Sequence, residues 1–432
     1  MNKDVENKNT HDHSHGEHHH HHDHDHHHHD HDHCHCGGHH HHHGHDHDHH
    51  HDHDHHHDHD HEHGHDHSHA KAMPTDKWVP HTHEPGVPHE HGVNDYMKAV
   101  AEYRKTWPTK QDVIEQTPDP AVREMILRME QIGCDTVFDR FDKQQPQCTF
   151  GIAGVCCKNC FMGPCRITEK APRGVCGADA DLIVARNMAR AAAGGLTQHG
   201  AHARELLVAL KKAITGEYDH PIVGTRRLIE VATAFGLETE IRGVVNIVGC
   251  SKPRVVFEKP TYEIALEMLK NDIVILTNGC ASFPLLKMGL CDPDSVMEKC
   301  GPGLQAFFKE TDMPPVWHVG ECVDNAKSSG IFGAITGQFG RALKDMPFAM
   351  SSPECSNEKG VCASLGFRLH GINSYHCVEP SVQGSKKVTD FLKKDSTEYL
   401  GSVMYVHTDG KTVAAKIIED INAKRRALGW KI

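Results

Sequence analysis

The part of the chain after about residue 240 alternates short apolar runs with amphipathic segments. The apolar runs are 243–248, 272–277, 315–319, 401–407 and, more weakly, 345–350. Segments 261–269 and 412–428 carry their apolar residues at helical spacing. Short buried strands that alternate with helices are typical of a mostly parallel, doubly wound sheet. We therefore expect an α/β fold for residues 241–432.

The part before residue 241 shows helical spacing instead. Helices are predicted at 94–107, 118–132, 178–193 and 201–215. A cysteine-rich segment separates the second helix from the third. The chain thus divides into a tail and linker (1–93), a helical domain with the cysteine-rich segment (94–240) and the α/β domain (241–432).

The first residues have no hydrophobic pattern at all. Residues 11–69 are almost entirely His and Asp, with Cys34 and Cys36 inserted, and 36 of the 47 histidines lie there. Such a segment has nothing apolar to bury, so we expect it to be disordered without a ligand. Dense neutral imidazoles bind Ni, Cu and Zn in preference to Mg or Ca. An expression tag is the alternative, but the length and the interleaved Asp favour a metal reservoir, continued by the histidines of the 71–93 linker.

The charge of the chain is concentrated in this tail. Residues 1–91 hold 4 Lys and Arg against 19 Asp and Glu, whereas residues 92–432 are nearly balanced. No basic face is expected, which argues against nucleic-acid binding. Seventeen cysteines without an apolar segment at the start predict a reducing cytoplasm. The longest apolar run, 273–276, is too short to cross a membrane.

Six cysteines fall within the 29 residues from 148 to 176. They are Cys148, Cys156, Cys157, Cys160, Cys165 and Cys176. Disulfides fit badly in a long chain without a secretory signal, and zinc typically takes two separated pairs of ligands. The interspersed glycines let backbone amides approach bridging sulfides, as an iron–sulfur cluster requires. An iron–sulfur site is the favoured interpretation, with structural zinc and a bland cysteine-rich loop as alternatives.

Three further cysteines each follow a predicted strand. Cys250, Cys280 and Cys322 come just after the runs 243–248, 272–277 and 315–319. Ligands of open α/β sheets bind outside the carboxyl ends of the strands, so three thiols at this edge can meet at one metal site. Three separate buried structural cysteines are the alternative.

Two histidines stand between the predicted helices of the first half. His199 and His202 are three residues apart, so they share a helix face if the second helix begins early. Taken alone, such a pair is commonly an exposed surface feature.

These motifs resemble the catalytic subunit of anaerobic nickel–iron carbon monoxide dehydrogenases. The likeness covers roughly residues 134–432. It is carried by the six clustered cysteines, by Thr197-Gln-His-Gly-Ala-His202, Ile247-Val-Gly-Cys250, Leu276-Thr-Asn-Gly-Cys280, Gly320-Glu-Cys-Val-Asp-Asn325 and Ser352-Pro-Glu-Cys-Ser-Asn-Glu-Lys359.

The resemblance implies a role for each matched residue. Cys157, Cys160, Cys165 and Cys176 would hold a [4Fe-4S] cluster. Cys148 and Cys156 would hold half of a cluster shared with a second subunit, which makes the protein a homodimer. Cys250, Cys280 and Cys322 would hold the nickel–iron–sulfur cluster, beside Lys359 as a cation. His199 and His202 would carry protons. Electrons from CO oxidation to CO2 would pass to a ferredoxin-like acceptor.

The chain departs from the family pattern in its middle. The family has a long segment there that supplies a histidine and two cysteines to the nickel–iron cluster. Here only about fifty residues separate His202 from Cys250, with no cysteine and only His220. Cys355 and Cys362, which flank Lys359, are candidate replacement ligands.

Two functions of different classes therefore stand after the sequence alone. The first is a compact carbon monoxide dehydrogenase whose tail stores Ni²⁺. The second is a nickel storage, delivery or electron-transfer protein without CO chemistry. Kinship with hybrid-cluster proteins (hydroxylamine reductases) is a third, weaker hypothesis.

Overall fold

The computed structural model describes residues 93–214, 241–311, 313–355 and 357–432. The predicted His/Asp-rich tail, its linker and His220 lie outside these residues. So does the segment before residue 241, where the boundary between the two predicted domains falls, and that boundary stays a prediction.

Four helices precede the cysteine-rich segment, and a fifth lies at its start. They are α1 (Val93–Arg104), α2 (Lys110–Gln116), α3 (Pro120–Gln131), α4 (Val137–Lys143) and α5 (Thr149–Ala153). Capping boxes begin two of them: Thr109 and Asp112 for α2, Thr136 and Asp139 for α4. In each box, the threonine hydroxyl accepts a hydrogen bond from the aspartate backbone amide, and the aspartate carboxylate accepts one from the threonine backbone amide. Helix α3 begins with Pro120, whose missing N–H is no loss at the first position.

The cysteine-rich segment forms a short antiparallel hairpin. Its strands are β1 (Cys156–Cys157) and β2 (Cys165–Arg166), and Cys157 lies opposite Cys165. The long helix α6 (Ala180–Ile214) follows.

The prediction of two helices in this region was wrong, because α6 runs unbroken for 35 residues. Gly194, Gly195 and Gly200 weaken helix propensity at the predicted break. However, a methyl group built on Gly195 would overlap the Glu358 carbonyl oxygen and Cys362 Cβ of a packed helix. The glycine therefore serves close helix packing, and this packing overrides its low propensity.

A six-stranded parallel sheet forms the second half. Its strands are β3 (Gly243–Ile247), β4 (Ile273–Thr277), β5 (Val316–His318), β6 (Phe348–Ser351), β7 (Ser374–His376) and β8 (Met404–Val406). They lie in the order β5-β4-β3-β6-β7-β8. Gly243 is opposite Ile273, and Val244 is opposite Phe348. The predicted α/β fold with a doubly wound, mostly parallel sheet is confirmed.

Helices surround this sheet. They are α7 (Lys259–Lys270), α8 (Ser282–Lys287), α9 (Pro293–Val296), α10 (Pro302–Thr311), α11 (Asn325–Phe339), α12 (Glu358–Leu369), α13 (Lys386–Asp390), α14 (Ser396–Leu400) and α15 (Gly410–Leu428), with a π turn at Phe391–Asp395. Single 3₁₀ turns occur at Gly279–Ala281, Met297–Lys299, Cys322–Asp324 and Leu343–Asp345. In the described ranges, no helix has the length and apolarity needed to span a membrane.

The main core lies on both faces of the sheet. Every residue of β3 and β4 is buried, as expected of strands covered by helices on both sides. Phe332 of α11 stacks on Phe348 of β6 with ring centroids 4.4 Å apart. Burying such a side chain contributes about 1.5–3 kcal/mol.

A second core ties the cysteine hairpin to the sheet domain. Cys157 of β1 and Ile167, which follows β2, pack in one cluster with Ile152 of α5, Val382 and Leu392. The hairpin is therefore anchored on elements from both halves of the chain.

The strand order creates a crevice between β3 and β6. The chain proceeds from β3 outward to β5, then crosses to β6 on the other side of β3 and continues outward to β8. Ligands of such sheets bind at this switch point, beyond the carboxyl ends of the strands.

Candidate metal centres

Four of the clustered cysteines line one cavity of about 340 Å³. They are Cys157, Cys160, Cys165 and Cys176, and Arg186 of α6 also lines it. We call this cavity, with its four cysteines, the cradle. The hairpin brings Cys157 opposite Cys165, while Cys160 lies in its turn region and Cys176 lies just before α6.

Two glycines of the cradle pack closely against its cysteines. A methyl group at Gly163 would lie 3.0 Å from the Cys165 nitrogen and 3.1 Å from the Cys157 oxygen. One at Gly174 would lie 3.5 Å from Cys165 Sγ. The Val175 amide donates to Cys165 Sγ at 3.5 Å. Amide donors beside thiolate sulfur are characteristic of iron–sulfur sites.

The surroundings of Cys176 favour its thiolate form. A backbone hydrogen bond from Ala178 and then the Arg186 guanidinium lower the pKa of the Cys176 thiol. Four thiols, an amide donor and a cation fit a [4Fe-4S] cluster, in which each iron takes one cysteine ligand.

Cys148 and Cys156 lie outside the cradle lining. Cys148 is exposed at the start of α5, and Cys156 is half-buried on β1. Their assignment to a cluster shared between subunits stays a prediction.

The three strand-end cysteines lie on adjacent loops. Cys250 follows β3, Cys280 follows β4 and Cys322 follows β5. The Gly279 amide donates to the Gly320 oxygen at 3.1 Å, and the Ala281 amide donates to the Gly249 oxygen at 3.2 Å. The loops are thus hydrogen-bonded to one another. We call these three cysteines the edge thiols.

The turn before Cys280 packs against Cys322, since a methyl group at Gly279 would lie 2.8 Å from Cys322 Cβ. Burial raises the pKa of the Cys280 thiol, and the neighbouring Cys250 and Cys322 thiols raise it further. Lys359 has the opposite effect on this pKa. Three adjacent thiols with a nearby cation fit an anionic metal cluster, whose positive metal ions would replace the thiol protons.

The structure separates the two candidate replacement ligands. Cys355 follows β6 across the crevice, and Cys250 is near enough to raise its pKa, although burial is the larger cause. Lys252 and hydrogen bonds with Ser352 and Asn357 act in the opposite direction, and the net pKa of Cys355 is about 11. Cys362 lies on α12 facing Gly195, and burial alone raises its pKa. Cys355 therefore adjoins the edge thiols, whereas Cys362 lies against helix α6.

A half-buried lysine links the two sides of the crevice. Lys252 Nζ donates to the Cys355 oxygen at 2.7 Å, and the Lys252 amide donates to Glu354 Oε2 at 3.2 Å. Burial lowers the pKa of Lys252 to about 8. Sequence reasoning missed this residue, although its position two residues after Cys250 was a usable signal.

Both histidines of α6 contact the loop that carries Cys322. His199 Nδ1 lies 3.1 Å from the Val323 oxygen, and His202 Nε2 lies 2.8 Å from Asp324 Oδ1. The Asp324 side chain is 7% exposed and that of His202 is 34% exposed. The pair is therefore bonded to the edge-thiol region, and sequence reasoning missed Asp324 as its partner.

Across the described ranges, no three His, Cys, Asp or Glu side chains are grouped so as to hold a single metal ion. Each cysteine there is a free thiol. A four-iron cluster has a different requirement, because its four irons each take one thiolate.

Comparisons with family models, curated proteins and solved structures all find members of one family. The model of the Prismane/CO dehydrogenase family matches residues 155–241 and 238–411, more than half of the chain. Carbon monoxide dehydrogenase 1 of Methanosarcina mazei is 42% identical over 144 residues, which are 32% of this chain and 23% of that protein. Carbon monoxide dehydrogenase 2 of Carboxydothermus hydrogenoformans is 31% identical over 197 residues, 44% of this chain and 31% of that one. The matched part thus spans less than a third of either curated relative.

A solved structure has the same fold. The nickel-free carbon monoxide dehydrogenase of Thermococcus sp. AM4, produced without a maturase, superposes with a TM-score of 0.65 at 19% identity. The superposition covers 76% of this chain and 98% of that one.

Proposed function

This chain belongs to the Prismane/CO dehydrogenase family, and we propose that it is an oxidoreductase that converts CO and water to CO2, two protons and two electrons. The observation that carries the proposal is the set of edge thiols with Lys359 at the carboxyl edge of the sheet. When bound, a nickel–iron–sulfur cluster would supply the redox chemistry, and [4Fe-4S] clusters would pass the electrons to a ferredoxin-like acceptor.

The edge thiols would hold the nickel–iron–sulfur cluster. Their loops meet at the carboxyl ends of three adjacent strands, where sheets of this type bind ligands. Cys355 is the favoured additional ligand because it adjoins Cys250 at the switch point. Cys362 remains the second candidate.

Lys359 would stabilise negative charge that develops at the edge thiols. It lies in the first turn of α12, two residues after the capping residue Asn357. The ammonium group and the positive end of the helix dipole act in the same direction. Such fixed positive charge favours a transition state that is more anionic than the substrate.

His199 and His202 would carry the two protons away from the site. Imidazole gains and loses protons near neutral pH, which suits this task. Asp324 holds the ring of His202 in place through a 2.8 Å contact, so the proton acceptor is oriented.

The cradle would transfer electrons between the site and the surface. Cys148 and Cys156 would join a second copy of the chain through a shared cluster. Phe161, Met162 and Val175, near the cradle, are exposed in the single chain. A cluster of exposed apolar side chains is typical of a surface that a partner covers, which supports the homodimer.

The tail would store Ni²⁺ for the edge site. Its 36 histidines lie outside the described residues, and its role rests on imidazole chemistry alone. Location in the cytoplasm likewise stays a prediction.

The deciding experiment is CO-dependent reduction of viologen by protein purified without oxygen and loaded with nickel. We expect turnover that disappears when Cys280 is replaced by alanine. A nickel-loaded chain with its full iron content and no turnover would contradict the proposal.

A nickel storage, delivery or electron-transfer protein is the second candidate. The short interval between His202 and Cys250, without cysteine, favours it. Removal of residues 1–91 distinguishes the two: an enzyme retains nickel in the remaining chain, whereas a store loses nearly all of it.

A further inference from the structure

One amide side chain connects the loops of all three edge thiols. Asn325 Oδ1 accepts a hydrogen bond from Asn246 Nδ2 of β3 at 3.0 Å and another from Asn278 Nδ2 at 3.1 Å. Asn325 Nδ2 donates to the Cys322 oxygen at 2.6 Å. A single side chain thus bonds the carboxyl end of β3, the residue after β4 and the turn that follows β5.

Each of these bonds lies close to a thiol along the chain. Asn246 precedes Cys250 by four residues, and Asn278 precedes Cys280 by two. The third bond goes to Cys322 itself. A shift of Asn325 would therefore move all three thiols relative to one another.

The network is buried, so its bonds are strong and costly to leave unmade. Asn246 and Asn278 have no exposed surface, and Asn325 is 6% exposed. Ser328 Oγ donates to Asn246 Oδ1 at 3.0 Å, which fixes the far end of that amide. Without the Asn325 side chain, two buried amide donors would lose their acceptor, and each would carry a desolvation penalty.

Each of the three loops turns at a glycine with a positive φ angle. Gly249, Gly279 and Gly320 adopt positive φ angles of 108°, 60° and 121° immediately or shortly before the edge thiols. Glycine permits these turns and also leaves the backbone free to take others. The mutual position of the thiols therefore depends on cross-links between the loops.

We propose that Asn325 is a positioning residue that holds the three loops in the arrangement at which the edge thiols bind one metal cluster. The inference rests on the proposed function only in that these thiols bind a cluster. It does not require that the cluster oxidise CO. Asn325 also begins α11, but its donor goes to the Cys322 oxygen, so its role extends beyond the helix.

The test compares Asn325→Ala, Asn325→Asp and a control, Asn373→Ala, in the full chain prepared without oxygen. Asn373 lies just before β7, at the amino end of the strand and away from the edge thiols. It accepts a hydrogen bond from the Val403 amide and donates one to Asp420 Oδ2. Iron and acid-labile sulfide are counted per chain, and the paramagnetic signals of reduced clusters are recorded. Acid-labile sulfide reports on the clusters alone, because metal ions bound by the histidines of the tail carry no sulfide.

We expect Asn325→Ala to lower the affinity of the edge site for its metal about 10-fold, as loss of a supporting bond at a metal site does. The cradle signal and its iron should remain. Asn325→Asp keeps acceptors for Asn246 and Asn278 but loses the bond to Cys322, so an intermediate loss is expected. Asn373→Ala should match the unmodified chain in metal content.

Edge iron and signals equal to those of the unmodified chain in both Asn325 variants would overturn the inference. If Asn325→Ala does not fold, Asn278→Ala decides, because it removes the bond between Asn325 and the Cys280 loop without changing α11. An unmodified chain that holds the edge cluster but fails to oxidise CO overturns the proposed function and leaves this inference standing. An unmodified chain without any edge cluster overturns both.

Discussion

His202 Nε2 of helix α6 lies 2.8 Å from Asp324 Oδ1, two residues beyond the edge thiol Cys322. The other oxygen of the same carboxylate accepts the Glu321 amide at 2.7 Å. Lys327 Nζ lies 3.0 Å from Asp324 Oδ1. Burial alone would raise the pKa of Asp324. The hydrogen bond from the Glu321 amide and the contacts with Lys327 and His202 outweigh this effect and hold the pKa below its usual value. One carboxylate thus both shapes the Cys322 turn and orients the imidazole.

This contact predicts how His202 affects turnover. His202→Gln should slow CO oxidation about 100-fold, because a positioned proton acceptor typically contributes a factor of this size. Metal content should be unchanged, since the ring bonds Asp324 and no thiol. Steady-state viologen reduction measures the rate, with the exposed His407→Gln as the control. Equal rates for the two variants would exclude His202 from proton transfer.

The cradle predicts a defined loss of iron. Cys160→Ala removes one of four thiols that line the cavity, so the cluster should not assemble and about four iron atoms per chain should be lost. Iron analysis and absorption near 400 nm measure this loss. Cys134→Ala, at an exposed cysteine outside the cradle, is the matched control. Full iron content in the Cys160 variant would contradict the assignment.

The position of Cys355 beside Cys250 predicts a difference between the two replacement candidates. Cys355→Ala should lower nickel and iron at the edge site about 10-fold or more, whereas Cys362→Ala should leave both nearly unchanged. Metal analysis after removal of tail-bound nickel by a chelator gives the answer. Unchanged metal in a chain that carries both substitutions would exclude each of them as a ligand.

Close packing of α6 on α12 predicts opposite effects of two glycine substitutions on one helix. A methyl group at Gly195 would overlap the Glu358 carbonyl oxygen, so Gly195→Ala should destabilise the fold by about 1–3 kcal/mol. Nothing lies within 4 Å of a methyl group at Gly200, and Gly200→Ala should stabilise the helix by about 0.5–1 kcal/mol. Thermal unfolding without oxygen compares them. The same sign for both would refute the packing argument.

Buried His376 predicts a loss of stability in acid. Burial lowers its pKa from 6.5 to about 4, and the ring bonds Ser364 and the Ser352 oxygen. The folded state therefore binds fewer protons than the unfolded state between these values. Its contribution is complete above pH 6.5 and is lost as the pH falls towards 4, about 2 kcal/mol between pH 7 and pH 5.

The check is a comparison of unfolding temperatures at pH 7 and pH 5. His376→Gln should show a smaller drop than the unmodified chain, since glutamine does not titrate in this range. The exposed His370→Gln, at the end of α12, should behave like the unmodified chain. A drop of equal size in all three proteins would mean that other groups cause the pH dependence.

Much of the fold followed from local pattern. The apolar runs located β3 and β4 because strands buried on both faces need continuous apolar residues. The run 315–319 also located β5, an edge strand in which only Val316 is buried. Helices α7 and α15 each begin two residues before their predicted first residue. The continuity of α6 did not follow, because Gly194 and Gly195 lower the propensity of an isolated helix, and only the packing against α12 compensates.

The sequence by itself determined which chemistry is available: clustered cysteines between 148 and 176, one thiol after each of three strands, and histidines three apart. These features are local, and parallel strands place their carboxyl ends at one edge in any such sheet. Only the tertiary structure decided which groups meet. The strand order put Cys355 across the crevice from Cys250, helix packing turned Cys362 towards Gly195, and Asn325 came to bond three loops. Contacts between residues distant in the chain depend on the strand order and packing of the whole domain, which no local pattern records.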